Sequence, residues 1–468
     1  MALPEKWVRR VTELVGEKYV VSEGSTLEAY AHDEFALESI AVLPRAVVMP
    51  GSESEVADVV RACADHGIAV TARGGGTGLS GGCNPAPEGV VISLGRLNRV
   101  VDTDTVDRTI AVQAGMTLQQ LYAEVKQLGL FFPPHPGDEG AFVGGAVAAN
   151  AGGARAVKYG TVRRFVCGMR VVLPDGSVSV LGGKLLKSST GYHLKDLFIG
   201  SEGTLGIITE VTLSLMPPPA YSTTLVAPFD SIHNAIEAVP AIMQSGSIPC
   251  AVEFIEHTVL KCAEKKLNRS WPARSGTASL MIILDGKSEE TVMEDAEALA
   301  GVLEEAGAGD VLVAEESAKQ AEILEMRSIL YEALREATVE LFDICVPVSQ
   351  IAGHVDFVHE LEQRHGCCLP TYGHAADGNV HTHSLRRKLA DGEWGEELPN
   401  WEHVHETVRG EIYRDAIARG GVISGEHGIG TVKRDFLIES VGEVQVELMR
   451  RIKKAIDPRG IMNPGKVV

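Results

Sequence analysis

The sequence predicts an α+β protein of more than one domain. Short strand-like runs alternate with capped amphipathic helices through the first half of the chain. A triple proline at Pro217-Pro218-Pro219 then interrupts it, and beyond that point long stretches are charged, glycine-poor and helical in period. The strands are short and separated by turns, which argues against a regular doubly wound sheet. With 468 residues and ~150 residues per domain, about two to four domains are expected.

Each element has a local cause. Ser52-x-x-Glu55 forms a capping box, Val56, Val59, Val60 and Cys63 follow at helical spacing, and Gly67 stops the run. Thr117-x-x-Gln120 opens a second helix with Leu118, Leu121, Tyr122, Val125 and Leu128 on one face and Gly129 as its stop. Strand-like runs lie at 68–71, 90–94 and 109–114. Further runs at 169–173 and 177–181 are joined by Pro174-Asp175-Gly176, a hairpin turn. Residues 210–216 make another strand before the prolines. In the second half, the helical stretches 287–308 and 315–340 lie between strands at 280–284 and 342–347. Residues 386–403 are charged and aromatic without clear period and predict an exposed insertion. From about 404 the chain is helical, broken by a glycine-rich stretch at 420–430, and it ends in a turn-rich tail.

Composition narrows the function. Hydrophobic residues are 45% and charged residues 23%, ordinary for a globular chain. The net charge of −20 disfavours a nucleic-acid surface. Eight cysteines include no CxxC pair, so a zinc ribbon or iron–sulfur cluster is not expected and a reducing compartment is. The start, Met1-Ala2-Leu3-Pro4-Glu5-Lys6-Trp7, lacks the apolar run of a signal peptide. No apolar stretch reaches the ~18 residues of a membrane span. A cytoplasmic protein, at most peripheral to a membrane, is the expectation.

Glycine, at 50 residues, exceeds average usage, and the excess is local. Arg73 to Gly82 holds six glycines in ten residues. Such a run bares backbone N–H groups that can wrap an anion as a nest, and Arg73 at its mouth would add fixed charge. Gly76-x-Gly78-x-x-Gly81 matches GxGxxG. A dinucleotide turn must open a helix, however, and Gly82, Pro85 and Pro87 forbid one here. There is no GK[ST] for a P-loop. The plain alternative is a flexible surface loop.

At this point the sequence resembles the flavoproteins typified by vanillyl-alcohol oxidase and p-cresol methylhydroxylase. The loop is similar to their pyrophosphate loop. Gly144-Gly145 with Asn150-Ala-Gly-Gly153, and Gly200 to Thr209, are similar to their other FAD-binding segments. Gly373-His374, Asp377-Gly378-Asn379-Val380-His381, Ser424 to Gly430 and Asp457 to Lys466 resemble the signatures of one branch. That branch holds D-lactate, glycolate and D-2-hydroxyglutarate dehydrogenases. The motifs keep their order over nearly the whole chain.

The resemblance implies a two-part FAD-binding domain at 1–218, an α+β substrate (cap) domain at 219–403, and a helical segment at 404–468 returning to the FAD domain. It implies that Arg73, Gly74, Gly75, Gly76, Thr77, Gly78, Leu79, Ser80 and Gly81 hold the FAD pyrophosphate. Pro134, Gly144, Asn150, Gly153, Glu202, Gly206, Ile208 and Asn463 would make further contacts. Residues 73–82 contain no histidine, so FAD is expected to be non-covalent. His135 stands where the branch usually has Asp. It either alters the flavin edge or fills the turn.

His374, His381 and His383 lie within ten residues, and His381 and His383 share a strand face by period two. Two histidines with a carboxylate suit Zn²⁺ foremost, or Mn²⁺ or Fe²⁺; three close histidines that are merely satisfied polar residues are the bland alternative. By resemblance the ligands are His374, His381 and Glu426, the general base is His427, and His383 is an outer or spare ligand. A 2-hydroxy acid would bind through hydroxyl and carboxylate, with Asn379 among its contacts. His427 would take the hydroxyl proton, and hydride would leave Cα for the flavin. Arg327 occupies the place of the relatives' substrate arginine; otherwise it is a solvated helix residue.

D-2-Hydroxyglutarate enzymes usually carry Lys just before the residue corresponding to Asp343. Leu341 and Phe342 are apolar here, and an unpaired buried carboxylate is costly. A small monocarboxylate is therefore expected, D-lactate ahead of glycolate, with a longer apolar 2-hydroxy acid as the alternative. The chain has no nicotinamide fingerprint and no haem CxxCH. Electrons must pass to an external acceptor: a quinone, a cytochrome, an electron-transfer flavoprotein, an iron–sulfur subunit or O₂. The chain would work as a homodimer or within a larger complex. Rival readings are a metal-free oxidase of this fold and a non-catalytic flavin-binding subunit.

Overall fold

The computed structural model describes residues 3–35, 37–185 and 187–468; Met1 and Ala2, the start of the N-terminal run that lacks a signal peptide's apolar stretch, lie outside them. The chain divides into two compact units. The first comprises residues 1–152, 161–218 and 426–468, and the second residues 153–160 and 219–425. This differs from the expected partition in two places. The return to the first unit begins at 426, not 404, because the helix Trp401–Ala418 packs on the second unit's sheet. Tyr413 donates to Glu340 at 2.6 Å, and Phe342 stacks on His405. The short segment 153–160 also belongs to the second unit, where Lys158 donates to the Asp285 carbonyl at 2.9 Å and Tyr159 to the Asp285 carboxylate at 2.7 Å.

In the first unit the helix Glu53–His66 is capped as its sequence predicts. Ser52 accepts from Glu55 N at 3.2 Å, and Gly67 ends the helix at φ +63°. The Glu55 carboxylate reaches back one residue further than a reciprocal box, to Gly51 N. Thr117 and Gln120 do close a reciprocal box on the helix Leu118–Gln127.

One sheet has the order β1 (Val20–Val21), β2 (Ala46–Val48), β4 (Val90–Ser93), β3 (Val70–Arg73), with β2, β4 and β3 parallel. Every residue of β2 and β4 is buried, the mark of parallel strands covered on both faces. The tail docks on the outer edge of β3, where Val70 N donates to Ile461 O and Asn463 N to Val70 O. A second, antiparallel sheet has the order β5 (Val100–Asp104), β6 (Thr109–Gln113), β9 (Ile207–Ser214), β7 (Val166–Val172), β8 (Val178–Gly182). The turn joining β7 to β8 needs Gly176 at φ +78°.

The second unit is built on one antiparallel sheet of seven strands. Its order is β13 (Leu312–Ala314), β10 (Tyr221–Phe229), β12 (Ala278–Gly286), β11 (Ala251–Glu256), β15 (Thr371–His374), β16 (Asn379–Leu385), β14 (Thr338–Cys345). Ile255, Met281 and Tyr372 project from one face into a core with Val259, Leu260, Trp271, Met326, Leu330 and Leu334. Phe342 projects from the opposite face onto Tyr413 and His405. The run at 386–403, expected to be an exposed insertion without clear period, begins as a largely exposed hairpin of β17 (Arg387–Ala390) and β18 (Glu393–Glu397). Among the described residues no helix is long and apolar enough to cross a membrane.

Candidate active site

In the second unit, β15 and β16 form the expected hairpin. Gly378 turns it at φ +92°, where a Cβ would lie 2.0 Å from the Val346 carbonyl. The register sets Tyr372 against His381 and His374 against Asn379. Alternation along each strand therefore puts Tyr372, His374, His381 and His383 on one face. The Nε2 atoms of His374 and His381 lie 3.5 Å apart with their rings at 88°, and both residues are buried.

Two acids that motif reading left out of the site flank this pair. Glu253 on β11 stands opposite His374 and accepts its Nδ1–H at 2.6 Å. The same carboxylate accepts from Arg327 Nε at 2.6 Å through its other oxygen. Burial pushes the Glu253 carboxyl up, but Arg327 and His374 outweigh it and hold it at about 2. Donation from Nδ1 leaves His374 Nε2 as a lone pair aimed at its neighbour. Asp343 on β14 lies opposite His381, its carboxylate 4.0 Å from His381 Nδ1. It accepts from Asn379 Nδ2 at 2.8 Å and from Ser424 Oγ at 2.9 Å. Their place beside the histidines could not be read from sequence, because register alone brings them there.

Other expectations for this unit change. Both ring nitrogens of His383 are engaged, with Thr338 at 2.8 Å and Tyr372 at 3.2 Å, so it is not a spare ligand. Arg327 is no solvated helix residue; its guanidinium lies over the Tyr372 ring and is paired to Glu253. Asn379 commits its amide N–H groups to Asp343 and the Ile344 carbonyl. Of the apolar pair, only Leu341 shares the face of His381. Phe342 packs on the other side.

In the first unit the glycine loop leaves β3 at Arg73 and forms no helix. Among the described residues the backbone N–H groups of Gly74, Gly75, Gly76, Thr77, Gly78, Leu79 and Ser80 donate to no protein acceptor. Gly81 N is tied instead, to Asp33 Oδ2 at 2.7 Å. Asp33 also accepts from Phe35 N. Burial raises its carboxyl to about 6 against the lowering effect of those N–H donors. Arg73 does not stand at the loop's mouth. It is buried and donates to the His32 and Ala29 carbonyls, bracing residues 29–33. Gly76 at φ +79° lies against that guanidinium, 2.3 Å from where a Cβ would sit.

The segment after 425 is tied to this loop. Ser80 Oγ donates to the His427 carbonyl at 2.9 Å, and Thr431 N and Val432 N donate to Ser80 O. Glu202 clamps the segment with both carboxylate oxygens, accepting from Ile429 N at 2.7 Å and Gly430 N at 2.8 Å. Burial raises the Glu202 carboxyl against those two donors. The Glu426 and His427 side chains lie side by side, Oε1 to Nε2 4.0 Å. Gly152 makes room for Glu426, whose Oε2 would meet a Cβ at 2.7 Å.

Several residues assigned to cofactor contact have firm structural duties. Asn463 donates to the Gly82 and Glu202 carbonyls and accepts from Thr71. Gly144 lies against Ala114 and Gly206 against Val171, each too close for a Cβ. Asn150 ends the helix Val143–Ala149 at φ +53° and accepts from Thr161. Pro134 O accepts from Tyr122, Ile208 is buried in β9, and Gly153 at φ +113° opens the segment 153–160. His135 lies 4.0 Å from Glu139 and beside the Tyr122 ring.

An FAD binding domain family matches residues 44–182, and the C-terminal domain family of FAD linked oxidases matches residues 218–467. A D-lactate dehydrogenase of Archaeoglobus fulgidus is 41% identical over 446 residues, 94% of this chain and 96% of that one. The chain belongs to the FAD-linked oxidases. A glycolate oxidase subunit of Bacillus subtilis is 34% identical over 91% of this chain and 89% of its own length. The solved structure of p-cresol methylhydroxylase with substrate bound superposes with a TM-score of 0.79 at 20% identity, covering 99% of this chain and 96% of that one; it shares the fold. The chain is thus an FAD-dependent oxidoreductase of the D-lactate dehydrogenase and glycolate oxidase type, of the vanillyl-alcohol oxidase and p-cresol methylhydroxylase fold.

Proposed function

We propose that this oxidoreductase oxidises D-lactate to pyruvate with a divalent cation, Zn²⁺ foremost, held by His374, His381 and Glu426, and passes the electrons to an external acceptor. The observation that carries the metal is the histidine pair. Two nitrogens at 2.0–2.1 Å from a tetrahedral Zn²⁺ are about 3.3 Å apart, and the His374 and His381 Nε2 atoms are 3.5 Å apart. Glu253 fixes the tautomer that turns a lone pair inward, the usual partner of a ligating histidine. Glu426 follows directly on Gly425, whose N–H is bonded to the Asp343 carbonyl.

The FAD reading rests on the seven consecutive N–H groups of the glycine loop, a nest for a pyrophosphate. FAD, when bound, supplies the hydride acceptor. The cation supplies positive charge that lowers the pKa of a 2-hydroxyl group.

The chain's own residues do the rest. His427 accepts the hydroxyl proton as general base, its backbone held by Ser80 and its loop by Glu202. Arg327 pairs with the substrate carboxylate. Leu341, apolar on the histidine face, leaves a second carboxylate without a partner and favours a small monocarboxylate.

Anaerobic bleaching of the bound flavin by 2-hydroxy acids of both hands tests this reading. D-Lactate should bleach fastest, ahead of L-lactate and D-2-hydroxyglutarate, and chelation should slow it. Faster bleaching by the dicarboxylate would refute the substrate; bleaching indifferent to chelation would refute the metal.

A further inference from the structure

We propose that Glu253 is a positioning residue that couples cation binding to recognition of the substrate carboxylate. The proposal rests on the metal and substrate reading above and deepens it.

Glu253 is fully buried, and each of its oxygens serves a different element. Oε1 accepts from His374 Nδ1 at 2.6 Å, and Oε2 accepts from Arg327 Nε at 2.6 Å and Nη2 at 2.5 Å. His374 ends β15 and Arg327 lies in the last turn of the helix Ser317–Ser328. Nothing local in the sequence holds these two side chains at a common spacing; one carboxylate does. A buried carboxylate that served only to pin the helix to the sheet would need Arg327 alone. One that served only to orient a ligating histidine would need His374 alone.

The chemistry of a 2-hydroxy acid asks for both at once. Its hydroxyl and carboxylate sit on adjacent carbons, so the group that receives the first and the group that receives the second must keep a fixed separation. Glu253 sets that separation from below. Its negative charge also offsets Arg327, so the half-buried guanidinium and the fully buried carboxylate are paired before substrate arrives.

The test compares wild-type holoenzyme with Glu253→Gln, reading Zn²⁺ affinity by chelator competition, KM and kcat for D-lactate, flavin content and Tm. The amide keeps the shape but cannot accept from both partners at full charge. Zn²⁺ affinity should fall about 10–100-fold. KM should rise at least about tenfold, as expected for a misplaced charge-assisted contact. Excess Zn²⁺ should restore kcat but not KM, a split that a purely structural ion pair would not produce.

Should Glu253→Gln lose flavin or melt early, Glu253→Asp carries the test. It keeps the charge on an arm one methylene shorter, which cannot span both partners, so Zn²⁺ affinity or KM must still shift. Wild-type Zn²⁺ affinity and KM in the variants would overturn the proposal and leave the histidine site standing. Wild-type protein that takes up no Zn²⁺ would overturn that site, and this proposal with it.

Discussion

The glycine loop and the histidine hairpin present their polar groups by opposite means. Residues 74–80 offer a row of main-chain N–H donors, and what a substitution does there is decided by φ and by what a Cβ would strike. The hairpin offers side-chain nitrogens flanked by acids from other strands: Glu253 from β11 orients His374 through a hydrogen bond, and Asp343 from β14 lies 4.0 Å from His381. A backbone site can be recognised from a contiguous string of small residues. A side-chain site is complete only when the register of several strands is known, because its aiming groups lie far away in the chain.

Breaking the side-chain site should have the largest effect. His427→Ala should keep flavin and metal yet slow flavin reduction by D-lactate ~10²–10⁴-fold, the usual cost of a lost general base. Stopped-flow bleaching beside metal analysis checks it, and a metal-free His427→Ala would exchange the roles of Glu426 and His427. His374→Ala should lose both metal and activity. Normal turnover without metal would make the cluster structural.

The backbone site should respond by position rather than by residue type. Gly76→Ala forces a Cβ into the left-handed region, at about 1–2 kcal/mol, and against the Arg73 guanidinium 2.3 Å away. It should purify with little flavin. Gly78→Ala meets only the Asp33 carboxylate at 3.2 Å and has no positive φ, so its flavin-to-protein ratio should stay near wild type. Equal losses at both positions would contradict the main-chain account.

A smaller effect concerns the acid beneath the loop. The Asp33 carboxyl is raised to about 6 in the fold from 3.8, so the folded state binds the extra proton between those values. Stability from this group is therefore present below about pH 4 and is lost as pH rises through 6. Asp33→Asn should flatten the stability-versus-pH curve of the flavin-free protein between pH 4 and 6, measured by denaturant unfolding. An unchanged slope would place the carboxyl's titration elsewhere.

The smallest expected effect is at His135. It is partly exposed and no closer than 4.0 Å to Glu139. His135→Ala should shift stability within about 0.5 kcal/mol and leave the flavin spectrum unchanged. A moved absorption band would place it at the flavin edge.

The sequence by itself determined the capped helices at 53–66 and 118–127, the Asp377-Gly378 turn and the non-helical glycine loop. Their causes are local: a side chain reaching three residues along, a glycine at positive φ, prolines that deny a helix. It also marked His374, His381, Glu426 and His427, because they fall in compact motifs. Tertiary structure alone decided what surrounds them. It turned Arg73 away from the loop's mouth to brace residues 29–33, and it assigned Glu202 and Asn463 to joining separate segments. It put Phe342 on the face opposite the histidines while Leu341 stayed with them. It also brought Glu253 to His374 across 121 positions and to Arg327 across 74. The reason is the two-residue period of a strand: one step of register exchanges the faces, and no short-range pattern records which partner strand supplies the opposing side chain.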